Sequence, residues 1–264
     1  MYAFNYTRAT SLDDAEKSFA SAEDAVFLAG GQTLIPTLKQ RLAQPSDVID
    51  IGALGDLQGI SVEGDNIVIG AGVNHADVAM SADVRRSIST LSALAGQIGD
   101  PQVRNRGTLG GSIANNDPAA DYPAAVVGLN AKVCTSRREI TADEFFTGMF
   151  ETALEPGELI VKVAFPIPKR AAYAKFPNPA SRYAVVGVMV AETSEGVRVA
   201  VTGAGPCVFR APEMETALSK SFTAEALKGV VISPDELNED LHASAEYRAH
   251  LIAIMAQRAV ASIA

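Results

Sequence analysis

The residue types best suited to chemistry lie in two glycine-bearing stretches. Ala29-Gly30-Gly31-Gln32-Thr33-Leu34 runs from a strand-like segment directly into a helix-like one. Asp100 to Pro123 is polar within an otherwise apolar chain. It holds Gly107, Gly110 and Gly111, the hydroxyls of Thr108 and Ser112, the amide of Asn115 and the carboxylates of Asp117 and Asp121. Glycine permits φ > 0 or a close approach of ligand to backbone. Backbone N–H groups at such turns and at helix starts attract anions. Two loops of this kind suit an elongated ligand with a pyrophosphate in its middle. Either one alone is an ordinary turn, and the polar stretch also reads as a long solvated loop. Neither is the spaced Gly-x-Gly-x-x-Gly signature nor a Gly-Lys-Ser/Thr phosphate loop. The residues by themselves lead to an α+β protein with a phosphate-containing ligand.

The surrounding pattern supplies the elements that must position these loops. Residues 2–7 and 25–28 read as short strands, joined by a helix that Ser11 caps and that runs to Phe19. Leu34, Leu38 and Leu42 predict a helix over Thr33–Gln44, with Pro45 as its stop. A strand at 47–51 completes a first lobe, residues 1–53. Strands at 59–62, 66–69 and 70–73, a helix over Asp83–Ile98, paired strands at 131–135 and 139–140, a helical turn at 143–146 and a strand at 158–165 make a middle lobe, residues 54–172. The remainder, 173–264, starts with two apolar strands, Tyr183–Glu192 and Gly196–Gly203. It continues with helices at 211–218 and 223–229 and a long one from Asn238. Tyr247, Leu251, Ile254, Met255 and Ile263 form the apolar stripe of that last helix.

Composition narrows the function. With 264 residues and 48% apolar content the chain can bury a large core. A net charge of −9 argues against a nucleic-acid footprint. No apolar run is long enough to cross a membrane, and the N-terminus reads as a first strand rather than a signal peptide. The cytoplasm is the expected compartment. Cys134 and Cys207 read as buried structural thiols, and two separated cysteines cannot ligate an iron–sulfur cluster. His75, His242 and His250 are scattered and make no metal-site pattern. No Rossmann fingerprint is present, which argues against a bound pyridine nucleotide.

Ala29-Gly-Gly-Gln-Thr-Leu-Ile-Pro36 and Thr108-Leu-Gly-Gly-Ser112 resemble the paired double-glycine boxes of one family, the FAD-binding medium subunits of molybdenum hydroxylases. This is the group of aerobic carbon monoxide dehydrogenase and xanthine dehydrogenase. The likeness extends through Gln102-Val-Arg, Asp117-Pro-Ala-Ala-Asp-Tyr-Pro123, Gly157-Glu-Leu-Ile160, Tyr173-x-Lys175 and Gly203-x-Gly-x-Pro206, nearly the whole chain. It implies a vanillyl-alcohol-oxidase/PCMH-like FAD-binding fold in two lobes, followed by a C-terminal domain of antiparallel strands and helices. FAD would lie in the cleft, with both double-glycine loops on its pyrophosphate. Carried over by position, Asp121 is a carboxylate contacting the flavin and Ile160 an apolar residue beside its ring. Ile98 replaces an aromatic residue that stacks on adenine in some relatives. Lys175 is a cation near the flavin edge that would favour the anionic reduced ring.

Phe176-Pro-Asn-Pro-Ala-Ser-Arg-Tyr183 departs from the family's Arg-rich turn, and Pro177 and Pro179 should stiffen it. The four-iron cluster insertion of the hydroxybenzoyl-CoA reductase branch is absent. The resemblance implies partners as well: an iron–sulfur small subunit with [2Fe-2S] clusters and a large subunit with the molybdenum cofactor, in a dimer of heterotrimers. The competing readings are a self-contained flavin-dependent oxidoreductase of the same fold, for which no catalytic acid or base stands out, and a nucleotide-binding regulatory protein. The substrate would be chosen on the large subunit, outside this chain.

Overall fold

Short β-prone runs separated by capped helices build the first of three principal sheets in the computed structural model, which describes residues 1–263. Strands Asn5–Arg8, Ala25–Leu28 and Asp47–Asp50 pair in parallel, with Asp47–Asp50 in the centre. Parallel neighbours need a crossover, and helix Leu12–Ser21 supplies the first one. The Ser11 hydroxyl accepts from the Asp14 amide at 3.1 Å, and the Asp14 carboxylate accepts from the Thr10 amide at 2.8 Å.

The helix expected over Thr33–Gln44 is shorter, Leu34–Lys39. Arg41 takes a left-handed φ of 60°. The Arg41 amide donates to Leu38 O and the Leu42 amide to Thr37 O. This is a Schellman stop, made at Arg41, four residues before Pro45. It leaves Leu42 73% exposed, so only Leu38 of the expected stripe is buried.

The second sheet is antiparallel, in the order Ile60–Glu63, Asn66–Gly70, Ile160–Pro166, Lys132–Thr135 and Glu139–Thr141. The strand expected at 70–73 is a turn instead, in which the Ala71 amide donates to Val161 O and the Gly72 amide to Leu57 O. The single helix expected over Asp83–Ile98 is two, Ala82–Ser87 and Ser89–Gly96, because Ile88 leaves helical geometry at φ −140° and ψ 77°.

The polar stretch is mostly helical rather than a long loop: Pro101–Arg104, Leu109–Asn115 and Tyr122–Gly128. Asp100 caps the first, its carboxylate accepting from the Val103 amide at 2.8 Å, and Thr108 caps the second. These polar residues start helices; they do not merely solvate a loop.

Strands Arg170–Pro177, Ala184–Thr193, Gly196–Thr202 and Phe209–Arg210 form the third sheet, antiparallel and in that order. Its own core includes helix Pro212–Lys220 and the C-terminal helix Ala245–Ile263. That last helix begins later than the expected Asn238. Asp240 accepts from the amides of His242 and Ala243 and holds this segment in a turn. Its buried face is also rotated from the expected stripe. Tyr247 is 43% exposed, while Arg248 is buried and donates to Val185 O and Gly203 O. The expected helix at 223–229 is a single 3₁₀ turn, Ala224–Leu227.

Contact between the first two lobes is set at Gly30. A Cβ there would sit 2.0 Å from Arg106 O and 2.9 Å from Gly107 Cα. Only a hydrogen fits, so the two glycine stretches touch backbone to backbone. Gly30→Ala should cost roughly 1–3 kcal/mol through overpacking, read as a lower urea midpoint with circular dichroism otherwise native.

Candidate cofactor site

The two glycine stretches meet at one cavity of about 630 Å³, bordered by loops from all three sheets. That volume is in the range of small-molecule and cofactor sites. Ala29, Gly30, Gly31, Gln32, Thr33 and Leu34 line it from the first lobe. Ile98, Thr108, Gly110, Gly111, Ser112, Asn115, Asp117, Asp121 and Ile160 line it from the second. Lys175 alone among the residues singled out in the sequence is off the wall. Its side chain is 3% exposed and lies behind Asp121, donating to Asp121 Oδ2 at 3.0 Å and to Gln97 O at 3.1 Å.

The two loops are not equivalent. In the first, the amides of Gly30, Gly31, Gln32 and Thr33 donate to no acceptor among the described residues. Gly31 holds the turn at φ 73°, and a Cβ there would strike Ile35 Cδ1 at 2.7 Å. In the second, the amides are already committed: Leu109 to Val73 O, Gly110 to Ala71 O, and Gly111 to the Thr108 hydroxyl. None of Gly107, Gly110 and Gly111 has φ > 0. Gly110 is needed for packing, since a Cβ would come within 2.5 Å of Ala71 Cβ. Gly111 is exposed, and its Cβ would meet only the Thr108 hydroxyl, at 2.9 Å. The second stretch therefore offers a small-residue surface and the Ser112 hydroxyl, while the first offers free amides. Together they fit a ligand with an anionic group and flat, extended parts.

Several wall residues escaped the sequence reading. His75 is 4% exposed, and its Nε2 lies 2.7 Å from where a Gly107 Cβ would be. Burial, helped by the charge of Arg104, pushes its pKa down to about 4, so the imidazole is neutral at pH 7. Its Nδ1 has no partner among the described residues. Asn74 caps the helix His75–Met80 and is of a type that could have signalled it, but nothing in the sequence shows that His75 turns inward. Leu159, Ser181 and Tyr183 also border the cavity. Burial, aided by Asp117 and Asp121, raises the Tyr183 pKa. Burial likewise raises Asp117, which accepts from the Ala119 amide. For Asp121, burial pushes the pKa up against the pull of Lys175 and of the Tyr173 hydroxyl. Among the described residues no group of three or more His, Cys, Asp or Glu is placed to hold a metal ion.

Glu158, two residues before the strand Ile160–Pro166, joins the wall. Its carboxylate accepts from Arg138 Nε and Nη2, both at 3.0 Å, from the Thr135 hydroxyl at 2.7 Å and from the Glu155 amide at 2.8 Å. Burial works to raise its pKa, but these donors outweigh it and bring the value from 4.5 to about 2. A depressed folded-state pKa gives stability that is full above the unfolded value and is lost as pH falls through the folded one. The wild-type chain should therefore lose on the order of 2–3 kcal/mol from this group between pH 4.5 and 2, less what solvent screening of Arg138 removes. Urea unfolding across a pH series should show that part of the acid sensitivity missing in Glu158→Gln.

Comparison with known proteins agrees with this geometry. Residues 2–168 match the family of FAD binding domains in molybdopterin dehydrogenase, and residues 171–263 match the CO dehydrogenase flavoprotein C-terminal domain. The chain is 35% identical to the nicotine 6-hydroxylase medium subunit of Paenarthrobacter nicotinovorans, over 98% of this chain and 96% of that one. It is 36% identical to the carbon monoxide dehydrogenase medium chain of Hydrogenophaga pseudoflava, over 90% and 88%. Among solved structures, reconstituted CO dehydrogenase from Oligotropha carboxidovorans superposes with a TM-score of 0.92 at 31% identity, covering 99% of this chain and 98% of that one. With both halves matched in order, and with unpartnered amides waiting beside a cleft between lobes, the chain belongs to the FAD-binding medium subunits of the molybdenum hydroxylases.

Proposed function

We propose that the chain holds FAD across this cavity and passes electrons on to an external acceptor. They would arrive from [2Fe-2S] clusters on a small subunit, which takes them from the molybdenum cofactor on a large one. The observation that carries the reading is the cavity itself: residues whose amides have no acceptor and a buried carboxylate, held by the third sheet, line the same space. FAD supplies the redox centre, able to exchange electrons in pairs or singly. The chain's own residues bind and orient it.

In this reading the amides of Gly30, Gly31, Gln32 and Thr33 receive the pyrophosphate. Thr108 and Ser112 add hydroxyls, and Gly111 gives the close approach. Leu34, Ile98 and Asn115 flank the nucleotide half. Ile160 packs beside the ring system, which Asp121 contacts, and Asp117 borders it. Ala29 and Gly110 keep the two stretches close. Lys175 acts through Asp121 rather than directly on the flavin. The units are residues 1–53 and 54–172 for the cofactor and 173–264 for the C-terminal domain. The assembly is a dimer of heterotrimers in the cytoplasm, and the acceptor is a quinone, oxygen or a carrier protein. No helix among the described residues is long and apolar enough to cross a membrane.

Two experiments test the reading. Gly111→Val should lose FAD at a small cost in unfolding midpoint, because Gly111 lines the cavity and its new Cβ meets only the Thr108 hydroxyl. Gly110→Val should lose stability itself, because it strikes Ala71. Full flavin occupancy in Gly111→Val would remove that helix from the site. Separately, the purified chain should show a flavin spectrum that dithionite bleaches and that no organic substrate affects. Substrate should bleach it only after both partner subunits are added. Substrate-driven bleaching of the isolated chain would instead make it a self-contained flavoenzyme.

A further inference from the structure

Asp121 opens helix Tyr122–Gly128 and lines the cavity, yet both of its oxygens are bound from the third sheet. Tyr173 Oη donates to Oδ1 at 2.5 Å, and Lys175 Nζ donates to Oδ2 at 3.0 Å. Tyr173 and Lys175 are two apart on strand Arg170–Pro177, so their side chains leave the same face. The fold also makes room for the tyrosine hydroxyl. Gly187 lies inside the buried strand Ala184–Thr193, where glycine is unfavourable, and a Cβ there would come within 2.2 Å of Tyr173 Oη. Lys175 reaches further, to Gln97 O, and Arg182 reaches Gly99 O, so the same domain also secures the wall at residues 97–99.

We propose that Tyr173 is a positioning residue for the cofactor. With Lys175 it fixes and holds the charge of the Asp121 carboxylate, so that the third domain, which supplies little of the cavity wall, sets the reduction potential of the bound flavin. The proposal rests on the FAD reading above. A carboxylate beside the ring disfavours added electrons, and a cation behind it offsets this. The balance depends on whether Asp121 is charged.

The titratable groups facing it are Tyr122 on its own helix, Tyr173 and Lys175 from the strand, Tyr183 from the turn and Asp117 from the preceding loop. Only Lys175 among these carries positive charge. Burial favours the neutral acid, and the lysine together with the tyrosine hydroxyl opposes it. Without that hydroxyl, Asp121 takes up its proton at higher pH.

The test uses the full chain loaded with FAD. Midpoint potential is followed against pH by dye-equilibrated reduction, and FAD affinity by fluorescence titration. Tyr173→Phe should keep FAD affinity within about threefold and move the bend in the potential–pH profile upward by about one pH unit, a tenfold change in proton affinity. Lys175→Gln should move it in the same direction. Asp121→Asn, which cannot ionise, should remove the bend that Tyr173→Phe moves, leaving only the flavin's own ionisation, and it carries the test if Tyr173→Phe fails to fold. A Tyr173→Phe profile that overlays wild type with FAD bound, or an Asp121→Asn profile that overlays wild type, overturns the proposal. Failure of the wild-type chain to bind FAD at all would instead overturn the reading of the cavity, which the two outcomes keep distinct.

Discussion

The contact on which the site depends is the van der Waals approach of Gly30 to the Arg106 carbonyl. At this point a parallel three-stranded lobe meets a lobe built on an antiparallel sheet, and the separation is that of two backbones with no side chain between them. Every wall residue of the first loop takes its place relative to the second lobe from this distance. The spacing is then passed on: Gly107 packs against His75, and Gly110 against Ala71. A methyl at Gly30 would be resolved by moving one lobe against the other, whereas at Gly107 or Gly110 it would strain packing inside the second lobe, because cores and tight backbone contacts have no slack to absorb it.

The other side of the cavity is held by electrostatics. The Asp121–Lys175 pair is almost fully buried, 4% and 3% exposed. Two charges withdrawn from water recover their desolvation cost only with good geometry and further hydrogen bonds, here from Tyr173 and to Gln97 O. Removing one partner of such a pair typically costs about 3–5 kcal/mol. The pair is thus a poor source of net stability but a strict determinant of where the carboxylate sits. Packing fixes one wall of the cleft and charge fixes the other.

Much of this was legible in the sequence. The double-glycine boxes and the Ser11 cap are local signals, and local signals survive folding. The resemblance of motifs brought the wall residues together across more than a hundred positions, which periodicity alone does not do. What was not legible depends on tertiary geometry. Helix Leu34–Lys39 stops at Arg41, a residue with no special left-handed preference, because the chain must return to the strand at Asp47. Ile88 breaks a helix whose apolar spacing is continuous. Arg248 displaces Tyr247 from the inner face of the last helix because two carbonyls, of Val185 and Gly203, need its guanidinium. Lys175 was placed at the flavin edge by likeness, and only the side-chain contacts put it one layer back.

The unequal state of the two loops has a kinetic meaning. The amides of Leu109, Gly110 and Gly111 are bonded within the chain itself, so that wall is finished before any ligand arrives. Those of Gly30 to Thr33 donate to no acceptor among the described residues and are left for an anionic ligand. Hydrogen–deuterium exchange will therefore be slow at the second loop with or without ligand and will change at the first, making the first lobe the part of the chain that senses whether the cleft is loaded.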